Sequence, residues 1–214
     1  MGAPLIKICG IATAEALDAA IASQADFAGL VFFPPSPRNV DSHAAAALAA
    51  RGGSRIGRVG LFVDAGDEAI AEGIAAGRLD AVQLHGEETP ARVAQVKARF
   101  GLPVWKAIPV STAADVARAE DYRGVADLLL FDAKTPKDAA LPGGMGLRFD
   151  WSLLSAQKGR SGWGLAGGLS PANVPDAVHL TAAPLVDTSS GVETAPGNKD
   201  PDLIRAFCEA ARGA

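Results

Sequence analysis

Cysteine is scarce in this chain: Cys9 and Cys208 stand at opposite ends of 214 residues. That excludes a disulfide-stapled scaffold and a cysteine-ligated metal site, both of which need several thiols at short spacings. Basic blocks are missing too. With 20 Lys and Arg against 24 Asp and Glu, a formal net charge of -4 and a pI near 5.4, the chain lacks the positive stripe that a nucleic-acid binder carries. An anionic small molecule would have to be met by local cations or by backbone N–H groups. No apolar run approaches the roughly 20 residues of a membrane span. The apolar stretch after Met1 is only a few residues long and contains Lys7, unlike a signal peptide. The protein is therefore expected to be soluble and cytoplasmic, with neither nucleic acid nor membrane as a partner. No Ser- or Pro-rich linker divides the chain. One domain over residues 1–214 is expected, long enough to bury roughly 70% of its unfolded surface.

What fills the chain is an alternation of short apolar runs with alanine-rich helical patterns. Strands are read at residues 4–9, 27–32, 56–63, 81–84, 103–108, 128–131, 164–166 and 184–187. Helices are read at 13–23, 42–50, 67–76, 89–100, 112–120, 151–156, 171–180 and 200–211. Thr13, Thr89 and Asp150 are placed to cap three of them, with Pro90 at the first helical position. Pro34, Pro35 and Pro37 make the segment 33–38 a stiff loop, because each fixes φ and removes a donor. Eight β–α units of roughly 27 residues lie near the lower size limit of a TIM barrel. A doubly wound open sheet would offer about five or six strands and a Gly-rich turn after the first, and that turn is absent. The expected fold class is α/β, one (β/α)8 TIM barrel whose active site gathers at the C-terminal ends of its strands.

At those ends stand Cys9, Arg38, Asp64, His85, Asp132, Gly167-Gly168 and the segment 187–191. Gly167-Gly168 ahead of the 171–180 helix, and Ser189-Ser190-Gly191, suit an anion, since glycine N–H groups and helix N-termini approach one closely. Loops after strands 7 and 8 form the recurrent phosphate site of such barrels. A tight turn alone would explain either loop singly; the pair at these ordinal positions favours phosphate. The glycines at 143–146 contribute to it or hinge a lid. Cys9 is either an inert buried thiol or a thiolate, base or nucleophile, favoured by Lys7 one layer below on the same strand face. Lys7 could equally be half of an internal ion pair, leaving little charge for Cys9. Asp132, at the rim of a dry barrel, reads as a general acid or as a rim carboxylate paired with Lys106 or Lys134. Arg38, in its stiff loop, suits bidentate recognition of a carboxylate; a solvated loop charge is the alternative. His85 either orients a substrate or bonds loop backbone. Cys208 reads as packing on the last helix, and His43 and His179 as structural or solvated. No metal-ligand spacing is present and Ser189 has no His–Asp relay, so no metal is expected.

Taken in order, the stretches KICG at 7–10, FFPPSPR at 32–38, GLFV at 60–63, VQLHGEE at 82–88, FDA at 131–133, PGGMG at 142–146, FDW at 149–151, LAGGLSPANV at 165–174, VDTSSGVE at 186–193 and GNKD at 197–200 closely resemble the phosphoribosylanthranilate isomerase family of tryptophan biosynthesis. The resemblance spans nearly the whole chain, and KICG, the SPR loop, QLHG and SSGVE in combination make it specific. It implies a cofactor-free Amadori rearrangement, an aldose-to-ketose isomerisation of N-(5-phosphoribosyl)anthranilate to 1-(2-carboxyphenylamino)-1-deoxyribulose 5-phosphate. It further implies Cys9 as the general base at the sugar C2 proton and Asp132 as the general acid at the ring oxygen. Arg38 would hold the anthranilate carboxylate, with His85, Gly144, Gly146 and Asp187 also binding substrate, while Gly167, Gly168, Ser190 and Gly191 would cradle the phosphate.

Three positions depart from the family pattern. Met145 replaces a threonine, Asn39 an aromatic and Thr188 a small apolar residue, and the first change removes one hydroxyl from the phosphate side. Two rivals remain. The histidine-pathway isomerase on the same barrel resembles this family at its phosphate site but ends strand 1 in aspartate, where this chain has Cys9. A catalytically silent phosphate-binding barrel would be expected to lack Cys9 or Asp132. The alanine-rich helices show no clear exposed apolar face, which points to a monomer.

Overall fold

A parallel strand buried on both faces must be apolar along its length, and the runs noted above behave this way. In the computed structural model, which describes residues 2–135 and 146–214, eight of them pair in parallel. They are β1 (Leu5–Cys9), β2 (Phe27–Val31), β3 (Gly57–Phe62), β4 (Ala81–Leu84), β5 (Val104–Val110), β6 (Leu128–Ala133), β7 (Trp163–Leu165) and β8 (Leu185–Thr188). They close in sequence order, with β8 returning to β1. Around them run α1 (Ala14–Ala22), α2 (Ser42–Gly52), α3 (Asp67–Gly77), α4 (Pro90–Phe100), α5 (Ala113–Arg118), α6 (Val174–Thr181) and α7 (Pro201–Arg212). The expected TIM barrel is the observed architecture. Among the described residues no helix is long and apolar enough to cross a membrane.

The expected caps are in place: Thr13 and Thr89 accept the backbone N–H of Ala16 and Arg92, each such cap contributing about 1 kcal/mol. Three local expectations change. The segment after Asp150 is a 3-10 helix, Trp151–Gln157, with Asp150 accepting the Ser152 N–H. The helix expected from residue 171 begins at Val174 instead. Asn173 explains the delay: its Oδ1 accepts the Ser170 N–H and its Nδ2 donates to Gly168 O, folding 168–173 into a turn before helical bonding starts. Strand β6 extends two residues past Phe131, so Asp132 and Ala133 belong to the ladder, opposite Pro109 and Val110.

The apolar side chains separate into two layers. Ile6, Ile8, Phe62, Phe131, Trp163 and Val186 face outward onto helix residues such as Leu17, Ile70, Val93 and Phe207. Cys208 is buried in this outer layer, where burial pushes its thiol up to about 11, in keeping with a packing role. Inside the barrel, Val59, Ala81, Trp105, Leu130 and Leu185 form a plug, with Phe27 edge-on to Trp105 at 5.1 Å. Above the plug the inward positions turn polar: Lys7, Gln83 and Asp187 are all buried.

The junction of β5, α5 and β6 is tied by one carboxylate. Asp115 Oδ2 accepts the N–H and hydroxyl of both Ser111 and Thr112 at 2.9–3.0 Å. Its Oδ1 meets Arg118 at 2.8 Å and Lys134 at 3.3 Å. Burial pushes this carboxyl up, but the donors of Ser111 and Thr112 outweigh it and hold the group well below the usual carboxylate range. A depressed folded-state value means stabilisation that is present at neutral pH and lost as pH falls below the unfolded value of about 3.9. Asp115→Ala, which strands several donors, is expected to lower unfolding free energy by about 2–4 kcal/mol at neutral pH. Urea denaturation at pH 7 and at pH 3 checks this, with the gap from the parent chain narrowing in acid.

Candidate active site

Register across the closing seam sets the base side. Lys7 and Asp187 are ladder partners between β1 and β8, and Nζ lies 2.9 Å from Oδ2, with the lysine fully buried. Burial works against the Lys7 charge, but Asp187 and the Cys9 sulfur more than offset it, and the ammonium is held above its ordinary range. Of the two roles open to Lys7, the internal ion pair is the one realised. Its consequence is felt at Cys9, two residues further along the same face. Burial pushes the Cys9 thiol up; Asp187 adds to this, and the pull of Lys7 and Lys199 in the other direction does not reverse it. Cys9 is a thiol at neutral pH, not the standing thiolate that a free ammonium would give. Space for the sulfur comes from Gly29, its partner on β2: a Cβ there would lie 3.0 Å from Cys9 Sγ and 3.2 Å from Lys7 Cε.

Asp132, the carboxylate of the ring, pairs with neither lysine suggested for it. Lys106 Nζ bonds Glu88 at 3.0 Å and the carbonyls of Gly86 and Leu84 at 2.7 and 3.3 Å, while Lys134 serves Asp115. Trp105 points into the barrel, so by alternation Lys106 points away from it. Asp132 Oδ1 instead accepts the Ala133 N–H at 2.8 Å, and Oδ2 lies 3.2 Å from His85 Nε2. His85 Nδ1 is 3.0 Å from Gln83 Nε2, so the imidazole is engaged by side chains and not by loop backbone. Asp64 turns out to buttress the neighbouring loop: its N–H donates to Glu88 Oε1 and its Oδ1 accepts the Glu87 N–H. Among the described residues, Gln83 Oε1 and Asp187 Oδ1 are buried without a hydrogen-bond partner. Such groups cost about 1–3 kcal/mol each, and a native core keeps them where function requires.

Gly146, Gly167, Gly168, Asp187 and Ser190 come together around a small pocket. Gly144 and Met145 fall outside the described residues. Much of the glycine requirement here is set by protein backbone. Gly167 has φ +87°, and a Cβ on it would sit 2.5 Å from Ala133 N and 3.0 Å from Asp132 Oδ1. On Gly191 a Cβ would collide with Leu169 O at 1.8 Å. Thr188 donates to that same carbonyl at 2.7 Å, which gives its hydroxyl a structural use between β8 and the loop after β7. Ser190 opens a single 3-10 turn over Ser190–Val192.

The carboxylate that Arg38 grips in the structure is one of the chain's own. Nε and Nη2 donate to Glu193 Oε1 and Oε2 at 2.8 and 2.7 Å, a fork–fork pair with both side chains buried. Glu193 starts a small hairpin, β9 (Glu193–Ala195) and β10 (Asn198–Lys199), and Lys199 Nζ reaches back to Glu193 and to Ser189 O at 3.1 Å. Burial raises Glu193, but Arg38 and Lys199 hold it below its ordinary value; burial pushes Lys199 down, with Glu193 only partly offsetting this. Gln83, Glu193 and Lys199 are site residues that strand-end reasoning missed. Gln83 lies inside a strand, and the other two meet only because an unanticipated hairpin joins them. Among the described residues no group of three or more His, Cys, Asp or Glu side chains could hold a metal ion.

With this geometry in hand, the likeness to known proteins is specific. Residues 6–210 match the family model for N-(5'-phosphoribosyl)anthranilate (PRA) isomerase. The N-(5'-phosphoribosyl)anthranilate isomerase of Paramagnetospirillum magneticum is 55% identical over 208 residues, 97% of each chain. The phosphoribosyl anthranilate isomerase from Thermotoga maritima aligns with a TM-score of 0.88 at 37% identity, over 99% of this chain and 100% of that one. A phosphoribosyl anthranilate isomerase in complex with reduced 1-(o-carboxyphenylamino)-1-deoxyribulose 5-phosphate aligns with a TM-score of 0.86 at 35% identity, again over 99% and 100%. The chain belongs to the N-(5'-phosphoribosyl)anthranilate isomerase family.

Proposed function

We propose that the protein catalyses the Amadori rearrangement of N-(5'-phosphoribosyl)anthranilate in tryptophan biosynthesis, with Cys9 as general base and Asp132 as general acid. The observation that carries this reading is the inward-facing thiol and carboxyl at the C-terminal ends of β1 and β6, both within the electrostatic reach of buried Asp187. In the first step the anilino nitrogen lone pair expels the ring oxygen from C1 while Asp132 protonates that oxygen. The product is a protonated Schiff base. Beside that cation Cys9 gives up its thiol proton to solvent, and the thiolate takes the C2 proton while the C–H electrons flow towards nitrogen to give the enolamine. Ketonisation passes the proton of the C2 hydroxyl to Asp132 and the proton held by Cys9 to C1, and the thiolate regains a proton from solvent when the product leaves, so that no net proton change remains. The cationic Schiff base answers the problem that burial sets, because its charge favours the thiolate beside it when the base is needed.

The anthranilate carboxylate is assigned to Arg38, in the loop that follows β2. The phosphate is assigned to the pocket bordered by Gly146, Gly167, Gly168 and Ser190, with Gly191 following Ser190 in the chain, where short backbone approach suits an anion. Asp187 Oδ1, buried at the wall of that pocket, is a fitting acceptor for a sugar hydroxyl.

Purified protein is expected to consume phosphoribosylanthranilate, followed by its fluorescence, without added metal or nucleotide; folded protein without turnover would overturn the proposal. Cys9→Ala and Asp132→Asn should each lower kcat by about 10²–10⁴-fold with far smaller changes in KM, and a near-normal kcat in either refutes its role. The pH profile supplies a separate check. A base must be deprotonated to act, and burial raises this thiol, so kcat/KM should still be rising with pH beyond the ordinary thiol value of about 8.5. A plateau reached below about pH 8 would remove Cys9 as the base.

A further inference from the structure

We infer that Gln83 is a positioning residue for the acid side of the reaction: its side-chain N–H fixes the Nε2–H tautomer of His85, and that imidazole N–H holds Asp132 by Oδ2. The inference rests on the proposed role of Asp132 as general acid.

Gln83 is fully buried on β4, with Leu61 of β3 and Trp105 of β5 as its ladder partners. Neither side chain is an acceptor for an amide. The partner it does have is His85, two residues on and therefore on the same strand face, with Gln83 Nε2 3.0 Å from Nδ1. In a neutral imidazole one nitrogen donates and the other accepts. An N–H directed at Nδ1 leaves the proton on Nε2, the nitrogen 3.2 Å from Asp132 Oδ2. An acceptor at Nδ1 would do the reverse and aim a lone pair at the carboxylate. Gln83 Oε1, at the other end of the amide, has no partner among the described residues. Asp132 is then met on both oxygens: Oδ1 accepts the Ala133 N–H at 2.8 Å, and Oδ2 lies 3.2 Å from His85 Nε2, where a proton makes the contact attractive and a lone pair makes it repulsive. Gly167 closes the Oδ1 side, where a Cβ would stand 3.0 Å away. Of these holds only the imidazole can switch its proton between two nitrogens. Gln83 selects which.

Nitrogen-15 NMR of histidine-labelled protein reads the tautomer directly, and the chain has only three histidines to assign. The Nε2–H form of His85 is expected in the parent protein, and Gln83→Glu, which places an acceptor at Nδ1, should bring a proton onto Nδ1. An Nδ1–H tautomer in the parent protein overturns the inference whether or not any variant folds. In folded Gln83→Met, kcat should fall by about tenfold or more while KM changes less than about threefold, and the same substitution placed on Asp132→Asn should add no further loss. Unchanged kcat in Gln83→Met, or a full additional loss in the double variant, also overturns it. A near-normal kcat in Asp132→Asn alone instead removes the general-acid reading and Gln83's part in catalysis with it, while the tautomer result stands.

Discussion

The buried pair of Lys7 and Asp187 is the constraint on which the rest of the site depends. It lies where β8 closes on β1, so a feature of barrel closure is also the electrostatic floor of the mouth. Loss of either partner would leave a buried charge uncompensated, which costs about 3–5 kcal/mol in comparable pairs. Because Lys7 answers Asp187, it has little to give Cys9, and the thiol stays protonated until another cation arrives. A reaction that generates a cationic Schiff base next to that sulfur fits such a base. A permanently ionised thiolate, by contrast, would be exposed to oxidation and alkylation between turnovers.

The alternation of strand and helix was legible because parallel strands covered on both faces read as unbroken apolar runs, and the placement of Cys9 and Asp132 at one end of the barrel was legible because parallel strands bring their C-terminal ends together. Partner choice was not. Lys134, two residues on, and Lys106, on the strand before, both suggest themselves to Asp132, yet strand parity sends Lys106 to the other side of the sheet and Asp115 takes Lys134. The parity argument was available from Trp105, a bulky apolar neighbour that belongs inside. Glu193 and Lys199 had no comparable signal, since their meeting depends on the β9–β10 hairpin, whose two strands have only three and two residues.

Arg38 and Gly167 show how a charged or crowded position can be legible while its neighbour is not. A stiffly held guanidinium does grip a carboxylate in two-point fashion, and that carboxylate is Glu193. The glycine after β7 does accept a close backbone approach, and what approaches is Ala133 beside Asp132. Sequence patterns report that a position is crowded or charged; they do not say whether the neighbour is ligand or protein.

The charge balance of the mouth follows from these pairings. Lys7 is matched by Asp187, and Arg38 with Lys199 by Glu193, in a chain whose net charge is -4. A phosphorylated, carboxylate-bearing substrate is therefore not drawn in by a strongly positive field. In the proposed reading its recognition comes from short-range contacts, with backbone N–H groups and the Arg38 guanidinium acting over a few ångströms. Among the described residues Asp132 is met by no Lys or Arg, but by a histidine nitrogen and a backbone amide. In the proposed reaction that environment lets the carboxyl group exchange a proton with the substrate without first breaking a strong ion pair, and it leaves the orientation of His85 as a smaller contribution beside the carboxyl group itself.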